Sequence, residues 1–315
     1  MKSRAFNLTL LSTIAISIAA SLPAQAQRAR VFVSVNGNDS NPCTALSPCR
    51  TFQAAHDAAL PGGEIDVMDT GGYGPLTITK AISVVNPLGV VGSIATASRG
   101  TAITIKAGPN DTIALRGLNL DGSGLTETGI EFDSGYSLTI TDCVVRNMTI
   151  NGLIFFSYSS SDQSLVVSNS QFNDNTGTGI AIQSRSSGSI SATIEHAGLS
   201  GNVANGLFVG PASGTGTVTV AVTDSVAASN FAGVVASTLN QSTIAITLTH
   251  VLLQNNNYGA QSTGTNAAIF LGQSTLTGNP YEYSADHSGV IYTYGDNYAA
   301  GNPTAVGSLT PATKQ

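Results

Sequence analysis

Charge is what this chain lacks most. Only 10% of its 315 residues are Asp, Glu, Lys or Arg, and it has no tryptophan. Ordinary globular domains carry about a quarter charged residues, so hydroxyls and amides must keep this chain in solution. Basic clusters are missing too: 12 Lys and Arg stand against 18 Asp and Glu, a formal net charge of −6. Binding a phosphate backbone needs Lys and Arg to displace counterions, so nucleic acid is excluded as a partner. Long apolar runs are absent beyond the N-terminus, which predicts no membrane span in the mature chain. Cysteine is scarce, at three residues.

The N-terminus reads as a signal peptide over residues 1–26. Lys2 and Arg4 precede an apolar run from Leu8 to Ala20, and Ala24-Gln25-Ala26 offers a small-x-small cleavage site before Gln27. The alternative is a retained membrane anchor, for which the run is short and lacks a stop-transfer flank. Export to the periplasm, the cell surface or the exterior is therefore expected. In that setting Cys43 and Cys49, in a turn-rich loop with Pro42 and Pro48, are expected to form a disulfide. A C-x5-C metal half-site is the alternative. Cys143 lies inside a repeat and reads as a small buried hydrophobe.

Repetition is the strongest feature present. A Gly followed by a short, mostly apolar strand recurs at Gly129, Gly152, Gly179, Gly206, Gly233 and Gly259, at spacings of 23, 27, 27, 27 and 26 residues. An Asn-rich turn precedes most of them, with Asn147, Asn175, Asn202, Asn230 or Asn255. Before each turn lies a second strand, such as Leu138–Thr141, Leu165–Ser168 or Val220–Thr223. Both strands alternate apolar and polar residues, the period of a half-buried strand. A helix would need apolar positions three and four apart, and Gly and Asn would weaken it. The pattern predicts an all-β fold, a single-stranded right-handed parallel β-helix with coils of about 23–27 residues. Handedness follows the general preference for right-handed parallel crossovers. Leucine-rich repeats lack their fixed Leu and Asn spacing here, and a propeller blade needs about 40 residues.

The ends of a solenoid must be covered. Residues 27–64 are expected to form an N-terminal helical cap, with one helix from Thr51 to Leu60 ended by Pro61-Gly62-Gly63. In this helix His56 reads as a surface or packing residue. The coils should occupy residues 65–280. Residues 281–315 break the period and read as a C-terminal cap, rich in Tyr281, Tyr283, Tyr292, Tyr294 and Tyr298, followed by a flexible tail from Asn302.

Val33-Ser34-Val35-Asn36-Gly37-Asn38-Asp39-Ser40-Asn41-Pro42-Cys43, Pro48-Cys49-Arg50-Thr51-Phe52-Gln53-Ala54-Ala55, and Pro61-Gly62-Gly63-Glu64-Ile65 resemble the N-terminal region of exported bacterial right-handed β-helix proteins of the pectin-lyase-like superfamily. Gly71–Lys80 resembles their continuation and Tyr294-Gly295-Asp296-Asn297 their closing segment. With the coils, the resemblance spans nearly all of the mature chain. It implies the fold. It implies less about activity, because the superfamily holds lyases, hydrolases, epimerases and adhesins.

The resemblance also implies where chemistry would sit, in a groove along a parallel sheet. Lytic cleavage of a uronate needs a base and a means of stabilising the developing charge, commonly Ca²⁺ on carboxylates. Hydrolysis needs paired carboxylates about the scissile bond. Aligning the coils on their glycines puts Glu131 and Asp133 outward on one coil, with Arg116 or Arg146 as candidate cations. Asp121, Glu131 and Asp133 form a candidate Ca²⁺ set, against which stands the commoner reading of solvated surface acids. The Asp-Asp, Gly-His-Gly and Arg-x-Lys pattern of polygalacturonases is absent. The same alignment turns Ile154, Phe156, Phe208 and Val235 outward, an apolar strip that binds something or is covered by the loop Ser157–Gln163 or by the tail. At one corner, Asp142, Asn169, His196, Asp224 and His250 recur in register. Here His196, Asp224 and His250 are a candidate metal or acid–base set, against a polar ladder that satisfies the corner backbone.

Sparse charge, the apolar strip and the lack of clustered carboxylates favour a secreted or surface β-helix that binds carbohydrate or another extracellular partner. The competing expectations are a polysaccharide lyase or related carbohydrate-active enzyme, and a structural or adhesive solenoid.

Overall fold

In a computed structural model, residues 27–95, 99–211, 214–238 and 242–314 are described. The expected signal peptide lies outside them. The described chain is a parallel β-solenoid. One face is a twelve-stranded sheet and a second is a ten-stranded sheet; a third is built from five-stranded and four-stranded sheets bridged through Gly198. Each strand pairs in parallel with its equivalent one coil on, as Leu207 does with Val234 and Val220 with Ile246.

Alternation within each strand builds the core. In Thr217–Thr223 the residues Val218, Val220 and Val222 are buried, while Thr217 and Thr219 face solvent. Branched aliphatics stack on their equivalents in neighbouring coils, and Phe132 stacks on Phe155 with centroids 4.1 Å apart.

Repeat glycines are required for a different reason than turn geometry. A Cβ on Gly152, Gly179, Gly206 or Gly233 would lie 2.6–2.8 Å from the carbonyl oxygen of the equivalent glycine one coil on. None of these four has a positive φ. They permit close approach of successive backbones where the corner meets the ten-stranded sheet. The left-handed corner belongs instead to Asp142, Asn169, His196, Asp224 and His250, whose φ values run from 47 to 57°.

A ladder of asparagines runs beside the glycines, buried at every rung but the half-buried last, Asn302. Asn175, Asn202, Asn230, Asn256, Asn279 and Asn302 bond from each coil to the next. The rung in the later coil is Asn256, not Asn255; Asn255 precedes it with a φ of 53°. Ladder spacings of 27, 28 and 26 residues shorten to 23 and 23 toward the C-terminus.

That shortening explains what becomes of the last residues. Tyr281–Asp286, Val290–Thr293, Tyr298–Ala300, Thr304–Val306 and Leu309–Pro311 continue the sheets. Residues expected as a separate cap and loose tail thus add further coils, held by Asn279 and Asn302.

At the other end, the helix covers Phe52–Ala58, shorter than the sequence suggests. The Ala59 backbone N–H closes it onto the Ala55 and His56 carbonyls. Pro61, Gly62 and Gly63 then lie inside the strand Ala59–Val67 rather than after a longer helix. His56 lies on the buried side of the helix; burial lowers its pKa, and its Nε2 accepts the Thr79 backbone N–H at 3.2 Å. The Cys43–Cys49 disulfide forms as expected, and Cys143 is free and buried.

Candidate functional site

Outward positions of the ten-stranded sheet carry the densest chemistry. Glu131 pairs in register with Ile154, Ile154 with Ala181, Ala181 with Phe208, Phe208 with Val235, and Val235 with Gln261. A second column runs from Phe156 to Gln183 and Gly210. The alignment drawn from the glycines places these residues as the structure does.

Within this face the two acids have separate surroundings. One Glu131 carboxylate oxygen accepts the Thr101 hydroxyl at 2.8 Å. Asp133 lies 3.8 Å from Lys106 Nζ. Burial and then the Glu131 charge push the Asp133 carboxyl above the ordinary aspartate range, against the pull of Lys106 and Arg185.

Arg185 is the centre of the group. Its guanidinium carbon lies 4.2 Å from the Phe156 ring centroid and 5.4 Å from that of Tyr158. Phe156 and Tyr158 meet at 5.7 Å. No hydrogen bond or ion pair occupies the guanidinium N–H groups among the described residues. The two rings hold the guanidinium on one side while its N–H groups keep no protein partner, which suits a carboxylate or vicinal hydroxyls. Asp133, Ser134, Gly135, Tyr158 and Gln163 line a shallow cavity of about 330 Å³ beside it.

The apolar strip is partly closed by its own neighbours. Val235 is buried, with 6% exposure, and Ile154, Phe156 and Phe208 are half-buried. The Phe208 ring folds back over Gly210, where an added Cβ would lie 2.3 Å from two ring carbons. Arg185 and Tyr158 cover Phe156. Among the described residues the C-terminal strands stack as further coils of the sheets.

Both arginines expected to serve the acids face elsewhere. Arg116 pairs with Asp142 at 3.4 Å, at the corner leaving the twelve-stranded sheet. Arg146 pairs with Asp121 at 3.1 Å on the third face. Burial opposes the Asp121 charge, but hydrogen bonds from Asn147, Ser123 and Arg146 outweigh it and hold its pKa low. Asp121 is therefore not brought to Glu131 and Asp133, and a Ca²⁺ site from those three does not assemble. His250 Nδ1 lies 3.5 Å from Asp224 Oδ1, each about half exposed. His196 holds its place in the corner column, but no group of three His, Cys, Asp or Glu gathers to hold a metal ion among the described residues.

Sequence reasoning missed Lys106, Arg185 and Tyr158. Lys106 lies at a register shift opposite Ser134, so counting along the strand does not reach it. Arg185 and Tyr158 follow Ser184 and Ser157, which pair in register, so continuing the alignment one residue past the strands brings them together.

Residues 82–216 match the family described as the right-handed β-helix region. No curated protein matches the chain significantly. Among solved structures, a pectate lyase is similar at 16% identity and a TM-score of 0.54, over 92% of this chain and 78% of that one. A rhamnogalacturonan lyase is similar at 12% identity and a TM-score of 0.53, over 90% of this chain and 86% of that one. Identities this low speak to fold alone, and they agree with the sheets and ladders above: the protein is a right-handed parallel β-helix of pectin-lyase-like architecture.

Proposed function

We propose that the protein binds an acidic polysaccharide across the outward face of its ten-stranded sheet. The observation that carries this is Arg185, stacked on Phe156 with its N–H edge unpaired. A planar guanidinium fork held against an aromatic ring recognises a uronate carboxylate in two hydrogen bonds. Tyr158, the half-buried Phe208 and the adjacent cavity supply apolar contact and room for a sugar ring. Lys106 and Arg185 balance Glu131 and Asp133, so the face is locally neutral although the chain is acidic. The pectate lyase and rhamnogalacturonan lyase of the same architecture support a saccharide ligand by analogy. Export, suggested by the sequence and consistent with the disulfide, would put the protein where such polymers occur.

A second reading, lytic turnover, is favoured by one feature: Asp133, held above the usual aspartate range, beside Lys106. Proton transfer needs a group whose pKa has been moved toward the working pH.

One experiment separates the two. The protein is incubated with pectic and alginate polymers, with and without Ca²⁺, following unsaturated uronate ends and measuring affinity by calorimetry. Saturable binding lost in Arg185→Ala, without new ends, supports binding. New ends abolished by Asp133→Asn or Lys106→Ala establish turnover. Neither binding nor turnover across the panel removes both readings.

A further inference from the structure

A second cavity lies on a different face and involves none of these residues. It occupies about 550 Å³ where the last coils of the twelve-stranded sheet meet the C-terminal residues, and Thr249, Gly272, Gln273, Tyr294, Asp296 and Lys314 line it. We propose that this cavity binds a neutral sugar unit of a glycan.

Its floor is a glycine for a steric reason. A Cβ on Gly272 would lie 3.0 Å from Tyr294 Cδ2, so the ring lies across a position where a side chain would displace it. Tyr294 is half-buried, lines the cavity and makes no ring contact with another aromatic residue among the described residues. Nearby Tyr292 differs: it stacks on Phe270 at 4.6 Å and 10°, so those two rings occupy each other's faces. Tyr258 and Tyr281 are likewise stacked, at 4.6 Å and 14°. Tyr294 walls the cavity without a ring partner of its own, and an aromatic face packs well on the C–H face of a pyranose.

Polar groups surround it with both donors and acceptors. Asp296 Oδ1 accepts the Gln273 backbone N–H at 3.1 Å, and Oδ2 lies 2.7 Å from Lys314 Nζ. Each carboxylate oxygen keeps a further lone pair, and the ammonium keeps further N–H groups. The Gln273 side-chain amide and the Thr249 hydroxyl make no hydrogen bond among the described residues. Sugar hydroxyls both donate and accept, which suits this mixed lining.

Charge selects the class of ligand. Asp296 and Lys314 neutralise each other within the cavity. A uronate or sulfate would meet the Asp296 carboxylate and gain no free cation, whereas a neutral hexose or pentose unit disturbs no ion pair. The cavity and the Arg185 face therefore favour different sugars, and each can fail without the other.

The test is calorimetric titration of the whole protein with neutral cello-, xylo- and galacto-oligosaccharides, beside the variants Tyr294→Ala, Gln273→Ala and Arg185→Ala. Saturable binding of at least one neutral oligosaccharide is expected, weakened about tenfold or more by Tyr294→Ala. Gln273 is exposed, so Gln273→Ala keeps the fold and should weaken binding even if Tyr294→Ala does not fold. Arg185→Ala should leave this binding unchanged. The proposal is overturned if no neutral oligosaccharide binds at millimolar concentration, or if Gln273→Ala leaves binding intact.

Discussion

Asn202 Nδ2 lies 3.2 Å from Asn230 Oδ1, and the same oxygen accepts the Asn202 backbone N–H at 2.9 Å. Asn230 repeats both bonds to Asn256 and also gives its amide to the Leu199 carbonyl at 2.8 Å. One buried side chain thus satisfies groups of the coils on either side of its own. Replacing it by alanine strands the Asn202 N–H and the Leu199 carbonyl in the core. Asn230→Ala should cost roughly 2–4 kcal/mol. A denaturant midpoint measured against the parent protein checks this, and Asn230→Asp should not restore it, because a carboxylate cannot donate to Leu199.

Glycines of the same corner make a sharper contrast. Gly206→Ala would place a methyl group 2.7 Å from the Gly233 carbonyl oxygen, a backbone atom that moves only with its coil. Overpacking of this kind costs about 1–3 kcal/mol. At Gly198 an added Cβ meets nothing closer than 3.5 Å, and φ is not positive. Gly198→Ala should change the thermal midpoint little. Equal effects of the two substitutions would contradict the close-approach account.

These ladders were legible because Gly and Asn recur at nearly constant spacing, and any residue needed once per coil leaves such a trace. The outward register of Glu131, Phe156 and Phe208 followed from the same columns. Arg185 and Lys106 did not, because they stand at a turn and at a register shift, where position is set by loop path rather than by strand period. Arg116 and Arg146 were near the acids in sequence yet face other sides, since a few residues suffice to round a corner. The final coils were hidden by a change in the repeat itself, from 26 residues between rungs to 23.

Closure at the N-terminal end depends on a short covalent loop. The Phe32 N–H bonds to the Cys43 carbonyl and the Ser34 N–H to the Cys49 carbonyl, both at 2.9 Å, so the disulfide loop covers the edge of the first strand. Cys43→Ser with Cys49→Ser releases a loop of sequence separation 6. The chain-entropy account gives a loss of about 2 kcal/mol for so short a loop. Amide exchange should rise first at Phe32 and Ser34, while the Asn230 rung stays protected. Uniform loss of protection would mean the cap and the coils unfold as one unit.

The pH dependence of the Arg185 face follows from Asp133. Its carboxyl is pushed above the ordinary aspartate range, by burial first and by Glu131 second. In the interval between its unfolded and folded values the folded state binds more proton. Its contribution to stability therefore falls as pH rises through that interval and is larger on the acid side. Asp133→Asn removes the titration and should flatten that part of the stability profile. Ligand affinity should move the same way. While Asp133 is ionised it competes with an incoming uronate for the field of Lys106 and Arg185; once protonated it leaves both cations to the ligand. Binding of a uronate oligomer should tighten as pH falls toward the Asp133 transition, until the uronate itself begins to protonate. In Asp133→Asn binding should be tight and flat over the same range. Calorimetry at stepped pH checks both, and an unchanged slope in the variant would assign the dependence to the ligand alone.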